Sequence, residues 1–313
     1  MTKLRLRRLV VHAPASTANL GAGYDVLALA LDLIDRVEVR VVRRPGLDLR
    51  VEGEGAGQLP GGRENLFVVA LETGLRWALG ETPTDVGWRI RMDNAIPLRR
   101  GLGSSAAATV AGLVAANALA GDPLDERRLL ELAIGLEGHP DNVAAALLGG
   151  FVVVVAQDGH PATLRLDPPQ RLRCVFFVPT RELETTRMRQ ALPAEVRHRD
   201  AVFNLGRAAL TVGAMATGRL DLLRIATEDR LHQPYRSGVY AELPGLIEAA
   251  LAAGAHGACL SGAGSSVVAF TDSPEASTAV SEAFVQAAGR AALEGTVETL
   301  IPRTAGTVVV EAE

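Results

Sequence analysis

Pro97-Leu98-Arg99-Arg100-Gly101-Leu102-Gly103-Ser104-Ser105-Ala106-Ala107 sets two glycines and two serines immediately ahead of an alanine-rich stretch that continues to Ala120. Glycines let the backbone approach an anion closely, and a helix start offers unpaired N–H groups at the positive end of its dipole. The serine hydroxyls add donors, and one of them can reach a metal ion. No lysine follows, so this is not the Walker A pattern. Taken alone, the same letters are also ordinary turn chemistry with Ser104 as a helix N-cap.

Working outward, residues 4–13 alternate as a strand, 14–23 read as a Ser/Asn/Gly loop, and 24–42 as two strand-like stretches. A glycine-rich turn region covers 51–62, a helix covers 65–79 up to Gly80, and a strand covers 88–92. Residues 104–120 form a buried helix, 124–136 a helix stopped near Gly138 and Pro140, and 143–148 a short one. The unbroken run 151–156 predicts a strand covered on both faces. Further strands are expected over 173–178, 259–260, 266–270 and 307–310, and helices over 200–215, 219–230, 243–253 and 274–289. Strands and helices mix without regular alternation, which favours α+β over a doubly wound sheet. A chain of 313 residues exceeds the usual single domain. Asp167-Pro168-Pro169-Gln170 is the expected hinge, dividing 1–166 from 167–313, with the last strand free to return to the first unit.

Apolar residues make up 48% of the chain and aromatic ones 4%, so the core is built from Ala, Val and Leu. That is enough for sizeable buried layers. A formal charge of −4 and a pI near 5.9 leave no basic field, which argues against nucleic acid as partner. Lys3 is the sole lysine; a phosphate or carboxylate clamp must therefore use arginine forks, backbone N–H groups or metal. Cys174 and Cys259 lie in apolar runs and read as buried thiols of a reducing compartment. The histidines show no zinc-ligand spacing. The basic first residues lead straight into strand-like sequence, and the 104–120 helix contains Asn117. The expectation is a cytoplasmic protein without membrane contact.

Together with its neighbours, the Gly/Ser loop resembles the GHMP kinases (galacto-, homoserine, mevalonate and phosphomevalonate kinases), whose ATP phosphate loop has the form P-x-x-x-G-L-G-S-S-A-A. Two more motifs stand in that family's order: Pro14-Ala-Ser16-Thr-Ala-Asn19-Leu-Gly21-Ala-Gly23-Tyr-Asp25, and Leu260-Ser-Gly262-Ala-Gly264-Ser-Ser266. The likeness runs over nearly the whole chain. Four stretches are similar to the homoserine kinase branch: the first motif, Glu137-Gly-His139-Pro-Asp141-Asn142-Val, Thr185-x-x-x-Arg189 before Leu192-Pro193, and Gln233-Pro234-Tyr235-Arg236. The first-motif lysine usual in mevalonate kinases is missing. Ser265 stands where the family commonly has proline, which adds an N–H donor and chain freedom.

The resemblance implies two α+β domains, the first like ribosomal protein S5 domain 2 and the second ferredoxin-like, with ligands in the cleft between them. It implies transfer of the γ-phosphoryl group of ATP to the hydroxyl of L-homoserine, with Mg2+, as a step of threonine biosynthesis. ATP would lie on Pro97, Leu98, Arg99, Arg100, Gly101, Leu102, Gly103, Ser104, Ser105, Ala106 and Ala107, with Asn65 near the adenosine. Asn19, Asp25, His139, Asn142, Thr185, Arg189, Arg236 and Gly262 would surround the acceptor, the arginines taking its carboxylate and Asp25 its ammonium. Ser105 and Glu137 would hold the metal, Glu131 being the fallback carboxylate. Asp141 or Asp25 would face the hydroxyl proton, with Arg189 beside them; the competing reading dispenses with a base and lets the proton pass to the phosphate. The alternatives are another small-molecule kinase of the family, or a silent nucleotide sensor. The sensor predicts damage at Asp25, Ser105 or Glu137, and all three are intact. A homodimer is the default assembly.

Overall fold

The computed structural model describes residues 4–157 and 160–313, so Lys3 lies outside them. Among the described residues a first sheet of seven strands begins with the pair that carries the first motif. β1 (Arg8–Ala18) and β2 (Leu27–Val42) run antiparallel from Arg8↔Arg40 to Ala18↔Ala28, with a register shift between Pro14 and Ala15. Proline has no N–H for the ladder, so a bulge is where a strand tolerates it. The loop expected over 14–23 therefore starts only at Asn19, and residues 15–18 are fully buried strand. β2 is one strand of 16 residues rather than two, because it pairs β1 along its length, β5 (Phe151–Gln157) at its start and β4 (Gly87–Asn94) at its end.

β3 (Gly46–Gly53) runs parallel to β4, with α1 (Leu66–Leu79) as the crossover between them. β6 (His160–Leu166) extends β5, and β11 (Val308–Ala312) closes the sheet beside β1. α2 (Ser104–Ala120) packs against α1, α3 (Glu126–Glu137), α4 (Asp141–Leu148) and β1. A helix covered on nearly every side needs no amphipathic stripe, which is why α2 is Ala, Val, Leu and Gly. Of its polar residues, Asn117 exchanges two 2.9 Å hydrogen bonds with the backbone of Leu124.

The second sheet is antiparallel, in the order β10 (Gly295–Leu300), β7 (Arg173–Pro179), β9 (Val267–Thr271), β8 (Gly257–Leu260). One face, with Val175, Phe177, Val267 and Ala269, packs under α9 (Leu243–Ala252) and α10 (Pro274–Arg290). Its other face, with Cys174, Phe176, Val268 and Phe270, joins the core of the first sheet beside Ala214 and Met215 of α6 (His198–Thr217). Burial on both faces explains the unbroken apolar run at 174–178. Both cysteines are free and buried, and burial pushes their thiol pKa values up.

The helix expected over 219–230 breaks early. A 3₁₀ turn (Leu220–Leu222) and α7 (Leu223–Ala226) end before Asp229, whose carboxylate accepts the backbone N–H groups of Leu231, His232 and Gln233 and so starts α8 (Gln233–Arg236). A short α5 (Thr185–Gln190) follows β7. Among the described residues no helix is long and apolar enough to cross a membrane.

Candidate active site

Gly101 and Gly103 both have φ +76°. A Cβ on Gly101 would collide with the Ser261 carbonyl, and one on Gly103 with the Ser16 hydroxyl. Only glycine satisfies the conformation and the space together. Among the described residues, the amides of 101–106 then make no hydrogen bond, and α2 closes its first turn only with Ala107 N to Gly103 O at 2.9 Å. A run of free donors at a helix start is an anion cradle.

The cradle is braced from behind. Leu102 O accepts from Ser16 N (3.0 Å), Gly101 O from Ser261 Oγ (2.6 Å), and Arg100 O from Ser266 N (3.0 Å). The Arg100 guanidinium donates to Pro179 O, Leu98 O and Thr180 O at 2.6–2.9 Å, so its side chain pins the loop to the end of β7 rather than reaching for a phosphate. Arg99 pairs with Glu182. Ser265 is fully buried and its Oγ donates to Arg181 O at 2.8 Å, a tether that proline would lack.

At the end of α3, Glu137 accepts from Ser105 Oγ and from Thr109 Oγ1, both at 2.9 Å. Ser105 and Thr109 are one turn apart on α2 and so share a face. One carboxylate and one hydroxyl beside a phosphate cradle fit a magnesium-like cation, which prefers hard oxygens and keeps phosphate and water in its shell. Glu131 is elsewhere. It is held by Arg127, Arg128 and His160, and its pKa is pushed down to about 2, by His160 first and then Arg128. Bound in that surface cluster, it is not the fallback ligand.

The opposite wall carries the cations. Asn19 Oδ1 accepts from Asp25 N (3.0 Å) and its Nδ2 donates to Gly262 O (2.8 Å), which fixes Asp25 at φ +57°. Arg189 on α5 grips both Asp25 oxygens, at 2.7 and 2.9 Å, and donates to Tyr24 Oη at 2.8 Å. Arg236 is only 1% exposed. Its Nη1 donates to Gly262 O (3.0 Å) and His232 Nδ1 (3.1 Å), and Nε reaches Met188 O at 3.4 Å. Every one of these acceptors is neutral, and burial lowers the guanidinium's pKa. An unneutralised buried cation beside a cleft calls for an anionic ligand group.

Between the walls, His139 Nδ1 stands 3.5 Å from Asp141 Oδ1 and Nε2 stands 4.0 Å from Glu137. Asp141 above all raises the imidazole pKa, against the effect of burial. Asn142 Oδ1 accepts from Ser16 Oγ at 2.9 Å.

One cleft of about 590 Å³ is lined by Asn19, Asp25, Asn65, the run 97–105, His139, Asp141, Asn142, Thr185, Arg189, Arg236 and Gly262. Glu137 lines an adjoining recess with Ser105 and His139. Ala106 and Ala107 are fully buried in the core and do not line the cleft; Ala107 also has its N–H committed to Gly103. Asn65 lines the cleft, but its Oδ1 caps α1 at Phe67 N and its Nδ2 donates to Pro60 O, so it shapes the wall rather than offering a polar atom.

Sequence reasoning missed Tyr24, Thr109 and Asp35, and the wall formed by Leu59, Pro60 and Met92. Thr109 could have been found, since it follows Ser105 by four residues in a predicted helix. Asp35 gave no signal within an alternating strand. It is buried, accepts from Ala95 N and Ile96 N at 2.7 and 3.0 Å, and burial pushes its pKa up to about 6.

Family models for the GHMP kinases N terminal domain and the GHMP kinases C terminal match residues 65–150 and 211–291. The chain is 41% identical to the homoserine kinase of Moorella thermoacetica over 304 residues, covering 96% of this chain and 99% of that one. It is 42% identical to the homoserine kinase of Corynebacterium efficiens, covering 86% and 87%. A crystal structure of homoserine kinase from Cytophaga hutchinsonii superposes with a TM-score of 0.88 at 30% identity, covering 99% of both chains. A crystal structure of L. major mevalonate kinase in complex with R-mevalonate shares the fold at 17% identity and a TM-score of 0.68 over 98% and 100% of the chains.

Proposed function

The chain belongs to the GHMP kinases, within their homoserine kinase family, and on that premise we propose that it transfers the γ-phosphoryl group of ATP to the hydroxyl of L-homoserine, yielding O-phospho-L-homoserine for threonine biosynthesis. The observation that carries this reading is the pairing, in one cleft, of free amides at 101–105 with a buried guanidinium, Arg236, that forms no ion pair among the described residues. The amides receive the triphosphate, and Leu59, Pro60, Met92 and Asn65 shelter the nucleoside. Ser105 and Glu137 would hold Mg2+, which when bound neutralises charge on the phosphate oxygens.

Arg236 and Arg189 take the acceptor's carboxylate, because guanidinium forks match two oxygens. Asp25 takes its ammonium, and Asn19, His139, Asn142, Thr185 and Gly262 shape the pocket around its chain. Asp25 is engaged by Arg189, which leaves Asp141, whose Oδ1 accepts from Asn142 N at 2.7 Å and faces His139, as the carboxylate to meet the hydroxyl proton. Phosphoryl transfer depends mainly on alignment and charge stabilisation, and in our reading the proton passes late to a phosphate oxygen. Asp141→Asn tests this: a loss of about a thousandfold in turnover with unchanged affinities would make Asp141 a true base.

The cytoplasm is the expected compartment and a homodimer the expected assembly, the latter checked by light scattering. The decisive experiment is a coupled ADP-release assay on homoserine, threonine, serine, mevalonate and galactose, with and without Mg2+. Homoserine should exceed the others by about a hundredfold in kcat/KM, the order that a misfit of one methylene or one hydroxyl already supplies. A preference for mevalonate or galactose would reject the assignment.

A further inference from the structure

His232 is fully buried, and both of its ring nitrogens are committed. Nε2 lies 2.7 Å from Gly21 O, and Nδ1 lies 3.1 Å from Arg236 Nη1. A carbonyl only accepts and a guanidinium only donates. The two partners therefore dictate the tautomer, with the hydrogen on Nε2 and the lone pair on Nδ1.

The ring is itself held. Asp229 Oδ2 accepts from His232 N (3.0 Å) and Gln233 N (2.6 Å), and Oδ1 accepts from Leu231 N (2.8 Å) and Asn204 Nδ2 (2.7 Å). Tyr24 covers the imidazole with ring centroids 5.3 Å apart. Burial, opposed by the neighbouring Asp229, pushes the ring's pKa down to about 4, so the Nδ1 lone pair persists at neutral pH. Apart from His232, Arg236 has among the described residues one good acceptor, Gly262 O at 3.0 Å, and a long contact to Met188 O at 3.4 Å. One good bond leaves the guanidinium free to swing; the second fixes its plane.

We infer that His232 is a positioning residue for acceptor binding: a neutral imidazole, locked in one tautomer between Gly21 O and Arg236 Nη1, that aims the Arg236 guanidinium at the acceptor's carboxylate. The inference rests on Arg236 being that carboxylate's anchor. It ties the aim of Arg236 to the loop that carries Asp25, since Gly21 and Asp25 lie in the same loop. His232 itself touches no reacting atom.

The test uses steady-state kinetics with homoserine and ATP varied in turn, on His232→Leu, His232→Asn, His232→Gln and Arg236→Met. An asparagine amide oxygen falls near the place of Nδ1 and can accept from Arg236; a glutamine amide reaches the place of Nε2 and restores only the Gly21 bond. A hydrogen bond to a charged group corresponds to about ten- to a hundredfold in affinity. His232→Leu should raise the homoserine KM by about that factor while the ATP KM stays within about twofold. His232→Asn should return it to within about threefold of wild type, and His232→Gln should remain near His232→Leu.

If Arg236→Met raises the homoserine KM but His232→Leu does not, the positioning role is overturned and the anchor reading stands. If Arg236→Met leaves that KM unchanged, both fall. Equal values for the Leu and Asn variants, or a parallel rise in the ATP KM, would mark His232 as merely structural. Should the Leu variant not fold, the Asn and Gln variants decide, and a Gln variant as good as Asn overturns the inference.

Discussion

Asp25 and Arg189 neutralise each other across two contacts of 2.7 and 2.9 Å, with side chains 31% and 36% exposed. An acceptor that offers its carboxylate to Arg189 and its ammonium to Asp25 has to open that pair. At such exposure the pair is worth about 1 kcal/mol. The ammonium–carboxylate contact that replaces it inside the cleft is worth about 2 kcal/mol. Asp25→Asn removes both terms. For L-homoserine the net loss in kcat/KM is then about 1 kcal/mol, roughly fivefold. For 4-hydroxybutyrate, the same chain without the ammonium, the substitution only frees Arg189, and kcat/KM should rise by roughly fivefold. The preference between the two acceptors should shrink by about thirtyfold, a ratio in which the cost of opening the pair cancels. ADP release at saturating ATP, measured for both acceptors on wild type and variant, gives it directly. Equal losses on the two acceptors would refute the reasoning, because Asp25 would then be acting on the fold or on ATP.

Three further outcomes are expected. Glu137→Gln should lower kcat by about a hundredfold and raise the Mg2+ concentration for half-maximal activity, since Ser105 and Thr109 both converge on that carboxylate; an unaltered Mg2+ titration would remove Glu137 from the metal site. Gly103→Ala should cost about 1–2 kcal/mol in urea unfolding from its left-handed backbone alone, with a further loss from the Ser16 collision, and should raise the ATP KM; a wild-type ATP KM contradicts the cradle. Asp35 has a folded-state pKa raised from 3.8 to about 6, so the native protein holds this proton more tightly than the unfolded chain does. The wild type should therefore lose up to about 3 kcal/mol of stability as pH rises from 4 to 6, and Asp35→Asn should abolish that slope. Unfolding curves at pH 4.5 and 7 check it, and equal slopes in the two proteins would reject the burial argument.

The conformation of the Gly/Ser loop was legible because it is local: φ +76° at Gly101 and Gly103 and the exposed helix start are dictated by residues within a few positions of one another. The helices of the first half read well for the same reason, since caps such as Asn65 and Asp125 and stops such as Gly80 and Gly138 lie next to the periodic runs they bound. β6 and β10 stayed hidden because they are largely exposed and carry neither an apolar run nor clean alternation; their pairing partners supply what the local pattern lacks. Residues 14–18 looked like a loop because proline and small polar residues suggest turns, yet Ser16 and Thr17 are fully buried strand residues. The arginines show the limit most clearly. Arg100, Arg189 and Arg236 are the same letter, but one braces backbone carbonyls, one is paired with a carboxylate, and one stands buried with only neutral hydrogen-bond partners among the described residues. Most of that distinction is made by neighbours 26 to 165 residues away in the chain.

The loop at 261–266 behaves as a shared bearing. Gly262 O accepts from Asn19 and Arg236, while Ser261 Oγ and Ser266 N hold the carbonyls of Gly101 and Arg100. A six-residue segment thus carries the backs of both proposed ligand sites at once. Ordering that segment for one ligand leaves less freedom to remove for the other, and thermodynamic linkage makes such help mutual and equal in size. Alterations in this segment should shift both affinities together, whereas alterations on either wall should move only one.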